Sequence, residues 1–289
     1  MAQKSIGALL IHGMGSQGRT KPRYSSKPTY SKELHRLVKR ELGEKMDRVA
    51  WREVFFAHVL QKRQEAYLRS IKGRTDFDNL RRFVMCSLSD AASYRKTSGS
   101  DDSTYEAIHR EVKKVARALE KDLTPEAPIV IIAHSLGGHI MSNYIYDQQK
   151  PRPGAKRNAS PLSEMRTVAG LITLGCNIPV FTFAYPEDEV VPIMPPNGEL
   201  DERLRFKTWW YNAYDRDDVL GYPLKDIGPK YAAIAKAGGI RDVQVNAGGW
   251  WTSWNPASHN AYWKDSDICE LVSGFLAGVL EGVDAIGAS

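Results

Sequence analysis

Apolar positions recur along the chain in two alternating rhythms. Residues 5–11 form a short apolar run closed by His12-Gly13-Met14-Gly15, the pattern of a buried strand that ends in a tight turn. Behind Ser31, Leu34, Leu37, Val38 and Leu42 fall on one helical face, and Gly43 stops that helix. Residues 49–56, rich in β-branched and aromatic side chains, read as the next strand. Ser103 and Glu106 have capping-box spacing ahead of a helix whose apolar face is Tyr105, Ile108, Val112, Val115 and Leu119, with Pro125 and Pro128 beyond its end. Residues 129–133 are an uninterrupted apolar strand. Residues 137–146 are helical, with Ile140, Met141, Tyr144 and Ile145 inward. Three more strands are expected at 168–174, 206–211 and 241–245. A helix carrying Ile268, Leu271, Val272, Phe275, Leu276, Val279 and Leu280 closes the chain. Strands separated by helices predict an α/β fold, a parallel sheet covered on both faces, in one domain over residues 1–289.

One stretch breaks the rhythm. Residues 58–100 hold nine Lys/Arg against four Asp/Glu, interleaved with Tyr67, Leu68, Ile71, Phe77, Leu80, Phe83, Val84, Met85 and Leu88. A helical insertion that caps the sheet suits this mixture, and a face meeting anionic lipid is a second use for it. The basic, Pro/Gly-rich residues 150–157 read as a solvated connection.

Composition narrows the classes further. The net charge of +6 permits attraction to anionic surfaces, but no nucleic-acid-reading motif accompanies it, so no nucleic-acid partner is expected. Nothing in the sequence implies a protein partner. The three cysteines, Cys86, Cys176 and Cys269, are far apart and form no CxxC pair or Cys/His cluster. No metal or organic cofactor is implied. Reduced thiols, the lack of a secretory signal pattern and the lack of a run near 20 apolar residues lead to a cytoplasmic expectation.

The chemistry-bearing residues sit at strand ends. Ala133-His134-Ser135-Leu136-Gly137-Gly138 lies between the strongest strand and a good helix. A sharp strand-to-helix turn there would push the Ser135 hydroxyl out over the sheet edge. Small residues two before and two after it, Ala133 and Gly137, relieve the crowding. The helix that follows would aim its free N–H groups at an anion formed beside Ser135.

These motifs resemble the α/β-hydrolase superfamily. Ala-His-Ser-Leu-Gly-Gly is similar to the nucleophile elbow of lipases and esterases, with Ala133 where Gly is usual, and Ile-His-Gly-Met-Gly to the family's oxyanion loop. The resemblance covers essentially the whole chain and implies a trimmed, mostly parallel sheet of about six strands. It makes Ser135 the nucleophile and the amides of Met14 and Leu136 the oxyanion hole. Family order places the acid and then the base after the nucleophile. His139 and His259 alone lie beyond Ser135, and His139 is too near to swing back, which leaves His259 as the base. His12 and His134 are then supports of the oxyanion loop and the elbow.

The acid is sought in Asn212-Ala213-Tyr214-Asp215-Arg216-Asp217-Asp218-Val219-Leu220-Gly221. An acid followed by apolar residues and a Gly/Pro turn resembles the Asp-Ile-Val-Pro loop of lipases and favours Asp218. Asp215, closer to the strand end and expected to face water, stands second, and Asp217 third. Trp250, Trp251, Trp254 and Trp263 cluster near the base and suit the wall of an apolar acyl pocket, whereas Trp209 and Trp210 read as core. The loop 176–203 is expected to end over the site. The resemblance implies hydrolysis of a small carboxylic ester through an acyl-enzyme. Lipase-like action at a membrane surface, thioester or amide hydrolysis and acyl transfer use the same groups, and a non-catalytic module that kept the fold is the alternative of another class.

Overall fold

The computed structural model describes residues 3–13, 27–73, 89, 92–94, 104–150, 160–195, 200–247 and 258–288. In chain order these form β1 (Ile6–Ile11), α1 (Lys32–Leu42), β2 (Val49–Val54), α2 (His58–Ile71), α3 (Thr104–Glu120), β3 (Ile129–His134), α4 (Leu136–Gln149), β4 (Val168–Leu174), α5 (Ile178–Thr182), β5 (Trp210–Asp215), α6 (Pro229–Lys236), β6 (Ile240–Val245) and α7 (Ser266–Gly287). A 3₁₀ turn, Ser258–Lys264, precedes α7.

The six strands form one all-parallel sheet in the order β2-β1-β3-β4-β5-β6. β1, β3 and β4 are buried at every position, as a parallel sheet covered on both sides requires. Alternate side chains feed two cores. Leu9, Ile11, Ile129, Ile131 and Ala133 pack beneath α3, α4 and α6, against Ile108, Val112, Ile140, Met141 and Tyr231. Ala8, Leu10, Val130 and Ile132 pack on the other face against Leu34, Val38 and Leu42 of α1 and Ile268, Val272 and Leu276 of α7.

The chain steps outward from β1 to β2, then returns past β1 to β3 and proceeds the other way. The reversal puts the topological switch point at the C-terminal ends of β1 and β3, where α/β sheets leave a crevice for ligands. His12-Gly13 leaves one of these strands there and Ser135 the other. The register pairs Ile11 with Ala133, so the two turns emerge side by side.

Several sequence expectations need correction. The strand expected at 206–211 begins four residues later and runs to Asp215. Its inward positions carry polar Asn212 and Asp215, which hide it from an apolar-run reading, while Phe206 lies outside it against Phe275. Asn212 is fully buried because it accepts from Thr173 Oγ1 and donates to Asp242 and to the Tyr222 carbonyl. Ser31 stands before α1, but its hydroxyl serves Glu53 and Trp51 and makes no cap bond.

Of residues 58–100, α2 is described, with His58 3.6 Å from Glu111 of α3. Tyr94 is buried against Tyr105. Most of the cap expectation, with Phe77, Leu80, Arg81, Arg82, Phe83, Val84, Met85 and Leu88, lies outside the described residues, as do the basic loop 151–157 and Ser103. Cys176 and Cys269 are buried free thiols, and Cys86 is outside the described residues. No helix among the described residues is long and apolar enough to cross a membrane.

Candidate active site

The turn from β3 into α4 begins with a strained residue. Ser135 stands between β3 and α4 at φ 54°, ψ −126°, on the positive-φ side of the backbone map that residues other than glycine avoid. Such a conformation costs on the order of 1–3 kcal/mol and persists only where surrounding structure holds it. Here the Ser135 N–H donates to the Leu174 carbonyl at 2.9 Å, and its own carbonyl accepts from Gly138 N–H at 2.9 Å.

Glycines make the remaining room. A side chain at Gly13 would put its Cβ 2.5 Å from Ser135 Cβ, and one at Gly137 would come 2.6 Å from the His12 carbonyl oxygen. Both glycines are therefore required for the end of β1 to lie against the start of α4. That contact brings the His12-Gly13 turn and the Leu136 amide to the same spot. Met14, Trp250, Trp251 and Trp254 lie outside the described residues.

The structure brings Ser135, His259 and Asp218 together across 124 residues of sequence, all of them buried. His259 Nδ1 lies 2.8 Å and 3.0 Å from the two carboxylate oxygens of Asp218. A carboxylate only accepts, so Nδ1 carries the proton. Nε2 is left with a lone pair, 2.6 Å from Ser135 Oγ, where it accepts the hydroxyl proton. Burial pushes the Asp218 carboxyl up, but hydrogen bonds from His259, the Leu220 N–H and Tyr262, with the charge of His259, outweigh it. The net effect leaves Asp218 below the usual carboxylate range. It is ionised at neutral pH and able to hold an imidazolium.

Asp215 departs from expectation. It ends β5, is 4% exposed, and its Oδ1 accepts the Asp217 N–H at 2.9 Å. It is buried to close its own turn rather than facing water. His139 also stays apart from Ser135: it stacks on Phe181 with ring centres 4.0 Å apart. Trp263 is 4% exposed and packs on Tyr30 and His134, so it is a core residue rather than the wall of an open pocket.

Two histidines of the motifs are buried and neutral. His12 donates from Nδ1 to the Gly13 carbonyl at 2.7 Å and accepts the Phe56 N–H on Nε2. Burial lowers it to about 4. His134 donates from Nε2 to the His259 carbonyl at 2.5 Å, tying the end of β3 to the residue that faces Ser135. Burial, aided by the charge of His259, lowers it to about 3. An unfolded chain protonates both near 6.5, so below that pH the unfolded state binds more protons. Stability from these two groups is complete above pH 6.5 and is lost as pH falls toward 4, by up to about 1.4 kcal/mol per pH unit for each. Urea midpoints should fall from pH 7 to pH 5 in the wild type and fall less in His12→Gln. Equal slopes would remove His12 from this account.

Tyr262 belongs to the site and has no motif to reveal it. Its hydroxyl donates to Asp218 Oδ2 at 2.9 Å and accepts the Asp215 N–H at 3.0 Å. The only signal in the sequence is its spacing of three from His259. Among the described residues, no group of three or more His, Cys, Asp or Glu side chains could hold a metal ion.

No protein-family model matches the chain, and no curated protein matches it. Two solved structures align over its length. One is an acetylxylan esterase at 13% identity and a TM-score of 0.39, covering 98% of this chain and 100% of that one. The other is an iodinated complex of acetyl xylan esterase at 14% identity and a TM-score of 0.38, with the same coverage. Likeness this slight carries no argument about fold or chemistry, which rest on the sheet and on the side chains above.

Proposed function

We propose that the protein is a serine hydrolase of the α/β-hydrolase type that cleaves small carboxylic esters through an acyl-enzyme on Ser135. The observation that carries this reading is the 2.6 Å contact of His259 Nε2 with Ser135 Oγ, on a strained strand-to-helix turn, with Asp218 on the opposite ring nitrogen. A structural serine needs neither the strain nor a base held in one tautomer.

In this mechanism His259 takes the Ser135 proton as Oγ attacks the acyl carbon. The carbonyl π pair moves onto oxygen, and the Leu136 N–H, with that of Met14, receives the oxyanion at the N-terminus of α4. The pair returns, the bond to the leaving alkoxide breaks, and His259 Nε2–H protonates the departing oxygen. Water, deprotonated by His259, then attacks the acyl-enzyme. Its collapse restores Ser135 and frees the acid. Asp218 keeps its charge throughout and stabilises the imidazolium.

A basic segment at 58–100 would cap this site or meet an anionic membrane surface, within one domain. The buried free thiols fit a cytoplasmic setting. Thioester and amide cleavage and acyl transfer differ from the proposed reaction only in leaving group or acceptor. p-Nitrophenyl esters of graded chain length test the reading. A burst of nitrophenol equal to the protein present, followed by slower turnover, is expected when deacylation limits. Absence of turnover at every chain length favours a non-catalytic module with this fold.

A further inference from the structure

We infer that Tyr262 is a positioning residue of the same site: it holds the Asp218 carboxylate against His259 and limits how strongly that carboxylate attracts the imidazole proton. The inference rests on the serine-hydrolase reading above and adds a fourth side chain to it.

The geometry follows from the turn. Residues 258–264 form a 3₁₀ turn, in which side chains three apart eclipse one another. His259 and Tyr262 are three apart, and both reach Asp218. The imidazole Nδ1–H donates to the carboxylate at 2.8 Å and 3.0 Å, and the phenol O–H to Oδ2 at 2.9 Å. One short turn thus sets both partners of the acid at once. Leu220 N–H occupies Oδ1 at 3.0 Å from the acid's own loop. Three donors, His259, Leu220 N–H and Tyr262, thus fix the orientation of the carboxylate against His259.

Two glycines independently keep this contact open. A Cβ at Gly175, whose φ is +53°, would lie 2.7 Å from Tyr262 Cε2 and 2.8 Å from Asp218 Oδ2. A Cβ at Gly221 would lie 2.7 Å from Asp218 Oδ2 and 3.1 Å from the Tyr262 hydroxyl. The end of β4 and the acid loop both lack side chains where the phenol meets the carboxylate. Burial, and then the charge of Asp218, hold the phenol far above its ordinary range, so it stays a donor at any working pH.

Among the described residues, the titratable neighbours of Asp218 are few. His259 and Tyr262 face it from the 3₁₀ turn. His134 lies behind His259 on β3, with ring centres 4.7 Å apart, and is neutral. Asp215 ends β5, where its N–H binds Tyr262 and its carboxylate binds Asp217 N–H. Removing the phenol O–H leaves Asp218 with one donor fewer. The carboxylate becomes more basic, holds the imidazolium more tightly, and defers the active, deprotonated base to higher pH.

Tyr262→Phe keeps the ring and removes the donor. The expected result is a kcat lower by about tenfold with KM within about twofold, and an acidic limb of kcat/KM moved up by roughly half a pH unit. Phenylalanine also leaves the Asp215 N–H without its acceptor, so a fluorinated tyrosine at 262 provides the second variant. It keeps both hydrogen bonds and donates more strongly, so the acidic limb should move down instead. Opposite movements in the two variants support the inference. An unmoved limb in both, with normal wild-type turnover, overturns the role of Tyr262 alone. Wild-type protein without Ser135-dependent turnover overturns the hydrolase reading and this inference with it.

Discussion

Ser135→Ala is expected to lower ester turnover by about 10⁴- to 10⁶-fold while the protein stays folded. The size of the loss follows from what remains. The backbone donors at the start of α4 and substrate binding survive the substitution, but without Oγ no acyl-enzyme forms, and His259 can serve only as a base for water. The fold should survive because the strained backbone is held by main-chain bonds to Leu174 and Gly138, which do not involve the hydroxyl. Alanine pays a similar conformational penalty at φ 54°. Progress curves on a p-nitrophenyl ester, with circular dichroism on the same samples, check this. Turnover within tenfold of wild type in a folded variant contradicts Ser135 as nucleophile.

The second large effect separates two aspartates that lie three residues apart. Asp218→Asn is expected to lower kcat by about 10⁴-fold. The amide is nearly the same shape, but it can present an N–H to His259 Nδ1. That favours the tautomer whose Nε2 carries the proton, and such an imidazole cannot accept from Ser135. It also removes the charge that holds the imidazolium. Asp215→Asn should change kcat by no more than a few-fold. Asp215 is as buried as Asp218, but its Oδ1 accepts an N–H of its own turn, a bond that an asparagine oxygen can still make. Its effect belongs to stability, at about 1 kcal/mol or less. A large rate loss in Asp215→Asn beside a near-normal Asp218→Asn would exchange their roles.

The sheet was legible where strands are wholly apolar. β1, β3 and β4 stand out as runs of Ile, Leu, Val and Ala because both faces are covered, and α1, α3 and α7 show single apolar stripes. β5 starts later than its apolar positions suggest for a physical reason: its buried polar residues, Asn212 and Asp215, are satisfied by hydrogen bonds that only the folded chain supplies. The same limit applies at the site. Ser135 and His259 could be singled out because motif and order constrain them, and Asp218 because its loop resembles a known one. The burial of Asp215 could not be read, since three nearby aspartates look alike until their turn is folded. Tyr262 carries no sequence signal beyond its spacing from His259, because a tyrosine without a motif has no visible partner, and its contact with Asp218 depends on the eclipsed geometry of a 3₁₀ turn. Trp263 reads as a pocket wall from its nearness in sequence to His259, whereas the same turn directs it inward, onto Tyr30 and His134.

The central claim is that the Ser135 hydroxyl is an activated nucleophile, and covalent labelling tests it without knowledge of the natural substrate. A fluorophosphonate reacts with a serine whose proton is being removed by a neighbouring base and leaves ordinary serines untouched. Incubated with the folded protein at pH 7.5 and read by intact mass and peptide mapping, it should add one phosphonyl group per chain, on Ser135. Ser135→Ala and urea-unfolded protein should take up none. No adduct on folded wild-type protein, or an adduct on another residue with Ser135 unmodified, would contradict the account.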